Sequence, residues 1–510
     1  MELAIRPLDI AAIVLYLLGM VLIGAYFSRR NNTTEEYFVG NRAFPGWVIG
    51  LSMLGTIISS ATFLALPAAA YVLDWRQLSV NLVLPFVAIV AIVVFIPFFR
   101  QGKLTSAFEY LGHRYGMAPR IYGTCSFIAL QLIRMAQILF LVSLPIQFLT
   151  GAPIELVIIG AGIFIAFYTI AGGIEAVIWT DVIQAGILIL GGVLCFTLIA
   201  LDLPGGFGQI IEIGKAQDKF SLGSFEWNLA ERTFWTVAIL GVVNWLMIYG
   251  GDQNMVQRYA AARSTREARK ATALYSVIAL PMWTLFFFVG TSLFAYYAVF
   301  PDPGVAALEA DQVLPYFILK NLPAGVAGIV ISAVLAAAMS SLDSGINAIS
   351  TVSVIDLMKP YLAKDRDDKY YLRSARLIAM VVTLLVILGA IIFSRIEKES
   401  MNDLSLIVTS IFGGCLMGLF MLGFFTRRVD GTAATMAMVL AILFNIYLGL
   451  GSIGWLPPAL SLGIHSYWVG ATVNGFFIVL ALLISYLSPK KEKDLTGLTI
   501  WTMPHKEKNK

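Results

Sequence analysis

Thirteen apolar runs follow one another along this chain, separated by charged or turn-rich breaks. They lie at 8–27, 45–72, 77–98, 121–148, 153–170, 177–201, 233–257, 271–299, 322–357, 374–394, 404–426, 431–451 and 466–488. A helix crosses the hydrocarbon core of a bilayer with about 20 mostly apolar residues, so each run predicts one membrane-spanning helix. The composition agrees. Hydrophobic residues make up 59% of the 510 and charged residues 13%, with a mean hydropathy of +0.82, whereas soluble domains are about half apolar and a quarter charged. The predicted fold class is an all-α integral membrane protein with membrane lipid as its surroundings.

Thirteen spans put the two termini on opposite sides and assign each loop to one face. Lys and Arg collect on the cytoplasmic face. With the N-terminus outside and the C-terminus cytoplasmic, the inner segments 28–44, 99–120, 258–270, 358–376, 427–428 and the tail from 489 hold 3, 4, 5, 6, 2 and 6 Lys or Arg. That is 26 of the chain's 35, Arg258 among them, while eight fall on outer segments and Arg134 lies inside a span. The expected location is the cell membrane, multi-pass.

Other whole-chain signals exclude more than they assign. The net charge of +4 follows the loop bias and forms no basic stripe, so no nucleic-acid partner is expected. Cys125, Cys195 and Cys415 lie in apolar spans at no ligand spacing, and His113, His465 and His505 are too scattered for a metal cluster. Neither a disulfide frame nor an enzyme's clustered acid, base or metal set is expected. MELAIRPLD lacks a basic leader and reads as the approach to a retained helix. The tail from 489 is short and charged. Function is therefore expected among the helices, and the oligomeric state is not legible.

An ionisable side chain inside a span is a functional candidate, because burying it in hydrocarbon is expensive unless it is paired or faces water. Arg134, Asp181, Asp252 and Asp343 stand out. Asp343 sits in LAAAMSSLDSGINAIST, where Ala337, Ser340, Ser341 and Ser344 share one helical face at i, i+3, i+4 and i+7. Two readings apply to that stripe: close helix packing by small residues, or a site for a hard cation, which prefers oxygen ligands. The second span supplies a facing wall, with Gly55, Thr56, Ser59, Ser60 and Thr62 near its middle and Pro67 beyond. A break there would free backbone carbonyls, tolerable at membrane depth only around a cavity or ion. YGGDQN interrupts the span at 233–257 in a similar way, five core spans later, a pattern of inverted-repeat transporters. Arg134 either pairs with a nearby Asp or receives an anionic solute, since guanidinium binds carboxylate through two parallel hydrogen bonds.

The stretches AAAMSSLDSGINAIST, GGIEAVIWTDVIQ, DQNMVQRY, EEYFVGNR and TSAFEYLGHRYG, in order over about residues 8–488, together resemble the sodium/solute symporter family. TIISSATFLALPAAAYVLDW, FIPFFRQGKLTSAFEYL and the Arg134 helix look most like its bacterial sialic acid branch. The resemblance implies a LeuT-type fold: a leading helix with its inner loop (1–44), a first five-helix repeat (45–202), an outer loop (203–232), a second, inverted repeat (233–428), two peripheral helices (429–488) and a cytoplasmic tail (489–510). It implies a sodium-coupled symporter that imports a small, carboxylate-bearing solute such as sialic acid. Another sugar or carboxylate, or a proton-coupled version, is the alternative.

The family pattern maps the main sodium site onto the backbone carbonyls of Gly55, Ile58 and Ala337 and the hydroxyls of Ser340 and Ser341. A second sodium site maps onto Asp181, Ser340, Asp343 and Ser344, with Asp343 standing where the branch carries Ser. That carboxylate would hold an ion harder, carry a proton or pair with Arg134, so one or two coupled ions are expected. The implied solute-binding residues are Ser59, Thr62, Gln77, Asn81 and Arg134, with Arg134 receiving the carboxylate; Ile57, Gln77 and Asn81 replace the branch's Thr, Phe and Gln.

Overall fold

A computed structural model describes residues 6–28, 33–102, 104–228, 230–396, 411, 413–452, 455–489 and 493–503. Among them the secondary structure is helical apart from a single bridge between Phe44 and Ala262. Ten described helices are long and apolar enough to cross a membrane, and a bent pair, Gly46–Ile57 with Ala61–Val72, makes an eleventh. Two shorter apolar helices, Ile154–Phe167 and Leu416–Phe425, fall where the fifth and eleventh runs are. Much of the run at 404–426 lies outside the described residues.

The helix Val326–Leu362, which carries the serine stripe, sits at the centre: 89% of its most apolar stretch is buried, against 22% for the leading helix from Pro7. The leading helix docks against the start of this serine helix through one carboxylate. Asp9 is fully buried, accepts from the backbone N–H groups of Gly325 and Gly328 at 2.7 and 2.8 Å, and pairs with Arg6 at 2.5 Å. A carboxylate at a helix N-terminus meets the positive end of its dipole. Asp9 and Asp356 are thus buried acids inside spans that the sequence reading passed over. Asp356, near the C-terminal end of the serine helix, pairs with Arg120 at 2.8 Å and accepts from Ser106, the N-cap of the short helix Ala107–Tyr115.

Both suspected interruptions are breaks. The first half-helix ends at Ile58, whose φ of −82° and ψ of 105° are extended. It runs out through Thr56, Ile57, Ile58, Ser59 and Ser60: β-branched residues are stiff in a helix, and serines compete for its backbone. The chain restarts at Ala61 in a wide π turn before Pro67, which has no N–H to give the preceding turn. The two halves are bent by 60°. The second break follows Gly250 and Gly251 at Asp252, also extended at φ −80° and ψ 126°, and divides Phe234–Gly251 from Gln253–Ala261. Asp252 caps the second half by accepting from the N–H of Asn254 at 2.7 Å, the role in which Asp is preferred.

The long helix Ile154–Asp202 is kinked at Gly173, where φ of 59° favours glycine. The loops are more structured than hydropathy suggests: helices Gly206–Ala216 and Ala310–Asn321 lie between spans. Their mixed composition gives no spanning signal, and tertiary packing completes them.

Candidate functional site

Three helices meet at the first break. Gly55 lies where all three come together: a Cβ there would stand 3.2 Å from the Asp181 carbonyl oxygen and 3.5 Å from the Ser340 Cβ. Ser340 Oγ donates toward the carbonyl oxygens of Gly55 at 2.8 Å and Ala337 at 3.2 Å. Ser341 Oγ donates to the Thr56 carbonyl at 2.9 Å. Gly55, Ser340 and Ser341, three of the five residues assigned to the main sodium site, therefore join the serine helix to the broken one, while Ala337 accepts from Ser340 within the serine helix. Ile58, the fifth, is the residue at which the helix ends. The carbonyl end of a helix carries about half a negative charge, and the last carbonyls have no intrahelical partner. A buried cluster of hydroxyl and carbonyl oxygens at such an end suits a hard monovalent cation.

The second predicted cluster is differently furnished. Asp181 Oδ2 accepts from Ser52 Oγ at 2.6 Å and pairs with Arg258 Nη2 at 2.8 Å, both side chains being fully buried. The same Arg258 Nη2 donates to Ser344 Oγ at 2.7 Å, Nε donates to Ser52 Oγ at 2.9 Å, and Nη1 donates to the Asn254 carbonyl at 3.1 Å. Arg258 was counted above among inner-loop cations. It lies instead inside the bundle, because the half-helix Gln253–Ala261 turns inward from the break and carries it to Asp181. Asp181 and Ser344 come together, with the guanidinium between them. Asp181 Oδ1 is buried with no hydrogen-bond partner among the described residues. Asp343 accepts from the backbone N–H of Ser344 at 2.6 Å and lies within electrostatic reach of Tyr16 on the leading helix.

Beyond the break, Ser59, Thr62, Gln77, Asn81 and Arg134 all line one cavity of about 200 Å³. Arg134 comes from the helix Met117–Thr150, and among the described residues its Nη2 makes a single long contact, 3.5 Å, with the carbonyl of Ile57 at the end of the first half-helix. Asp252 lines the same cavity, and its charge attracts Arg134; no ion pair within 4.0 Å joins them among the described residues. Trp245 and Trp283 form an aromatic wall, with ring centroids 5.3 Å apart. Asn244 and Gln131 also face the space. Sequence reasoning named Thr56 only as part of the facing wall, in no assigned site, and missed Ser52 and Arg258. The two hydroxyl residues carried a signal, since Ser52 and Thr56 are four apart and continue the hydroxyl stripe toward Ser59; Arg258 carried none beyond its place six residues after the break.

The model of the Sodium:solute symporter family matches residues 37–441. The chain belongs to that family. It is 30% identical over 483 residues to the sodium/sialic acid symporter NanT of Aliivibrio fischeri, a match covering 94% of this chain and 92% of the relative. To the sodium/sialic acid symporter SiaT of Proteus mirabilis it is 32% identical over 442 residues, 86% of this chain and 88% of that one. A solved structure of a Na⁺-coupled sialic acid symporter, substrate-bound and outward-open, superposes with a TM-score of 0.87 at 29% identity over 96% of this chain and 99% of that one. The LeuT-type fold expected of this symporter is the fold it has. Its relatives are sodium-coupled transporters and not enzymes, and it is a multi-pass membrane protein.

Proposed function

We propose that this symporter imports an acidic sugar such as sialic acid together with Na⁺. The observation that carries the reading is Arg134. It is a guanidinium inside a cavity of the bundle, held by one long contact to the end of a broken helix, with its fork of donors facing the space. Charge at membrane depth persists where it has work to do, and a bidentate carboxylate is the partner a guanidinium fits best. The tilted tryptophan pair offers apolar ring surface to a sugar, and both sialic acid symporters named above support the assignment.

In this reading Na⁺ binds at Gly55, Ile58, Ala337, Ser340 and Ser341, and Ser59, Thr62, Gln77, Asn81 and Arg134 hold the solute. The two sites share the break. Sodium at the carbonyl end of Gly46–Ile57 fixes the segment whose Ile57 carbonyl touches Arg134 and whose Ser59 lines the cavity, so each ligand stabilises the geometry the other needs. The repeats 45–202 and 233–428 move against each other about this point, and the N-terminus is outside. Coupling of about 1–3 kcal/mol changes solute affinity about 5- to 150-fold, and reciprocally sodium affinity. A membrane potential adds about 2.3 kcal/mol per charge per 100 mV as the cation moves inward.

The test is binding of N-acetylneuraminic acid to purified protein in NaCl and in KCl. Affinity is expected to be at least about 5-fold higher in sodium; equal affinities overturn the coupling. Uptake driven by acid pH in sodium-free medium would transfer the coupling to a proton. A companion variant, Ser341→Ala, removes one proposed ligand, and the sodium concentration for half-maximal binding should rise about 10-fold, equivalent to about 1.4 kcal/mol. An unchanged sodium response in that variant removes Ser341 from the site.

A further inference from the structure

Of the side chains lining the solute cavity, two are charged, Arg134 and Asp252, and they come from opposite repeats as the resemblance divides the chain. Asp252 is already engaged on one side. Its Oδ1 accepts from both the N–H and the side-chain Nδ2 of Asn254, at 2.7 and 2.9 Å, which fixes the carboxylate at the head of the half-helix Gln253–Ala261. The backbone N–H of Met255 also stabilises this carboxylate, which is half-buried and lines the cavity, so part of it stays open to a solute. A carboxylate oxygen is acceptor-only when ionised, and leaving it without a donor in a desolvated site is costly.

We infer that Asp252 is a specificity-determining residue: the symporter selects carboxylates that carry a hydrogen-bond donor, hydroxyl or ammonium, on the side away from the carboxylate, and rejects dicarboxylates and plain aliphatic acids. This rests on the carboxylate role of Arg134 proposed above. The logic is electrostatic. Empty, the cavity holds one positive and one negative charge. A bound monocarboxylate satisfies Arg134 and leaves Asp252 as the excess negative charge, which a donor on the solute hydrogen-bonds and which the sodium at the adjoining break offsets at longer range. A second carboxylate on the solute would face Asp252 with like charge at low dielectric, where such repulsion is strong. A plain aliphatic tail would desolvate the open part of the Asp252 carboxylate and give it nothing in return, the situation that lets a polar site reject an analogue lacking one donor by large factors.

A six-carbon series separates these cases: hexanoate, gluconate and glucarate, each competing with N-acetylneuraminic acid for binding in NaCl, with a six-carbon amino acid, 6-aminohexanoate, as the ammonium arm. Wild-type protein is expected to bind gluconate or 6-aminohexanoate at least about 10-fold more tightly than hexanoate and glucarate; which of the two leads tells hydroxyl from ammonium. Asp252→Asn keeps the cap, since Asn caps helices as well as Asp does, and removes the charge. In that variant the preference for gluconate over glucarate should shrink about 10-fold, with the sodium-induced rise in melting temperature retained. If wild-type protein binds glucarate or hexanoate as well as the donor-bearing acids, or if Asp252→Asn binds sodium normally and leaves the ratio unchanged, the inference is overturned. If the variant does not fold, the wild-type series alone decides. Failure of the wild type to bind N-acetylneuraminic acid or any of the four acids is a different result: it removes the carboxylate role of Arg134, and this inference with it.

Discussion

Arg134→Ala is expected to lower sodium-driven uptake of N-acetylneuraminic acid by at least about 100-fold. Two charge-assisted hydrogen bonds of about 1.5–3 kcal/mol each are lost with the guanidinium fork, and every 1.4 kcal/mol is about a factor of ten. The fold should survive, because Arg134 contributes one 3.5 Å contact to the backbone and otherwise faces the cavity. The sodium-induced rise in melting temperature of the purified variant therefore remains as evidence that the protein is intact. Arg134→Lys restores a point charge without the planar fork and should recover only part of the affinity. Normal uptake by Arg134→Ala would remove the carboxylate role.

Arg258→Ala is expected to act on stability first. The guanidinium joins four elements through Ser52, Asp181, Asn254 and Ser344, and no part of its side chain or of Asp181 is exposed. Removing one member of a buried ion pair leaves the other charge unpaired and costs about 3–5 kcal/mol. The measurement is thermal unfolding in detergent, with the half-life at fixed temperature as the readout where unfolding is irreversible. Pairing Arg258→Met with Asp181→Asn removes both charges and should recover most of the loss, because the desolvation penalty of the isolated carboxylate goes with it. If Arg258→Ala unfolds at the wild-type temperature, the guanidinium is not a structural tie. A double variant no better than the single one would assign the loss to packing and not to charge.

Much of this symporter was legible in its residues because a bilayer leaves few choices. Hydrocarbon offers the backbone no partner, so apolar runs of sufficient length are helices; among the described residues eleven of the thirteen runs hold helices long enough to span, counting the bent pair as one, and the fifth and eleventh hold shorter ones. The breaks were legible too. Gly-Gly before Asp252, and the hydroxyl and β-branched residues before Pro67, end helices through local chemistry. The stripe at Ser340, Ser341 and Ser344 was visible as a helical period. The short helices Gly206–Ala216 and Ala310–Asn321 were not, since their residues favour no span and owe their order to what they pack against.

Arg258 shows where local reasoning stops. A cation six residues past a helix break reads as part of a loop, because depth in the membrane depends on which way the second half-helix turns. That direction is set by packing between helices far apart in the chain. The sequence by itself determined the helices, their interruptions and the residue types that can bind a cation and an anion, all from interactions within a turn or two of the backbone. Only the tertiary structure decided that Arg258 reaches Asp181 and Ser344, that Asp252 shares one cavity with Arg134, and that Gly55 lets three helices close on Ser340. Those contacts join residues 77 to 285 positions apart, and their geometry follows from how whole helices pack, a property no single segment carries.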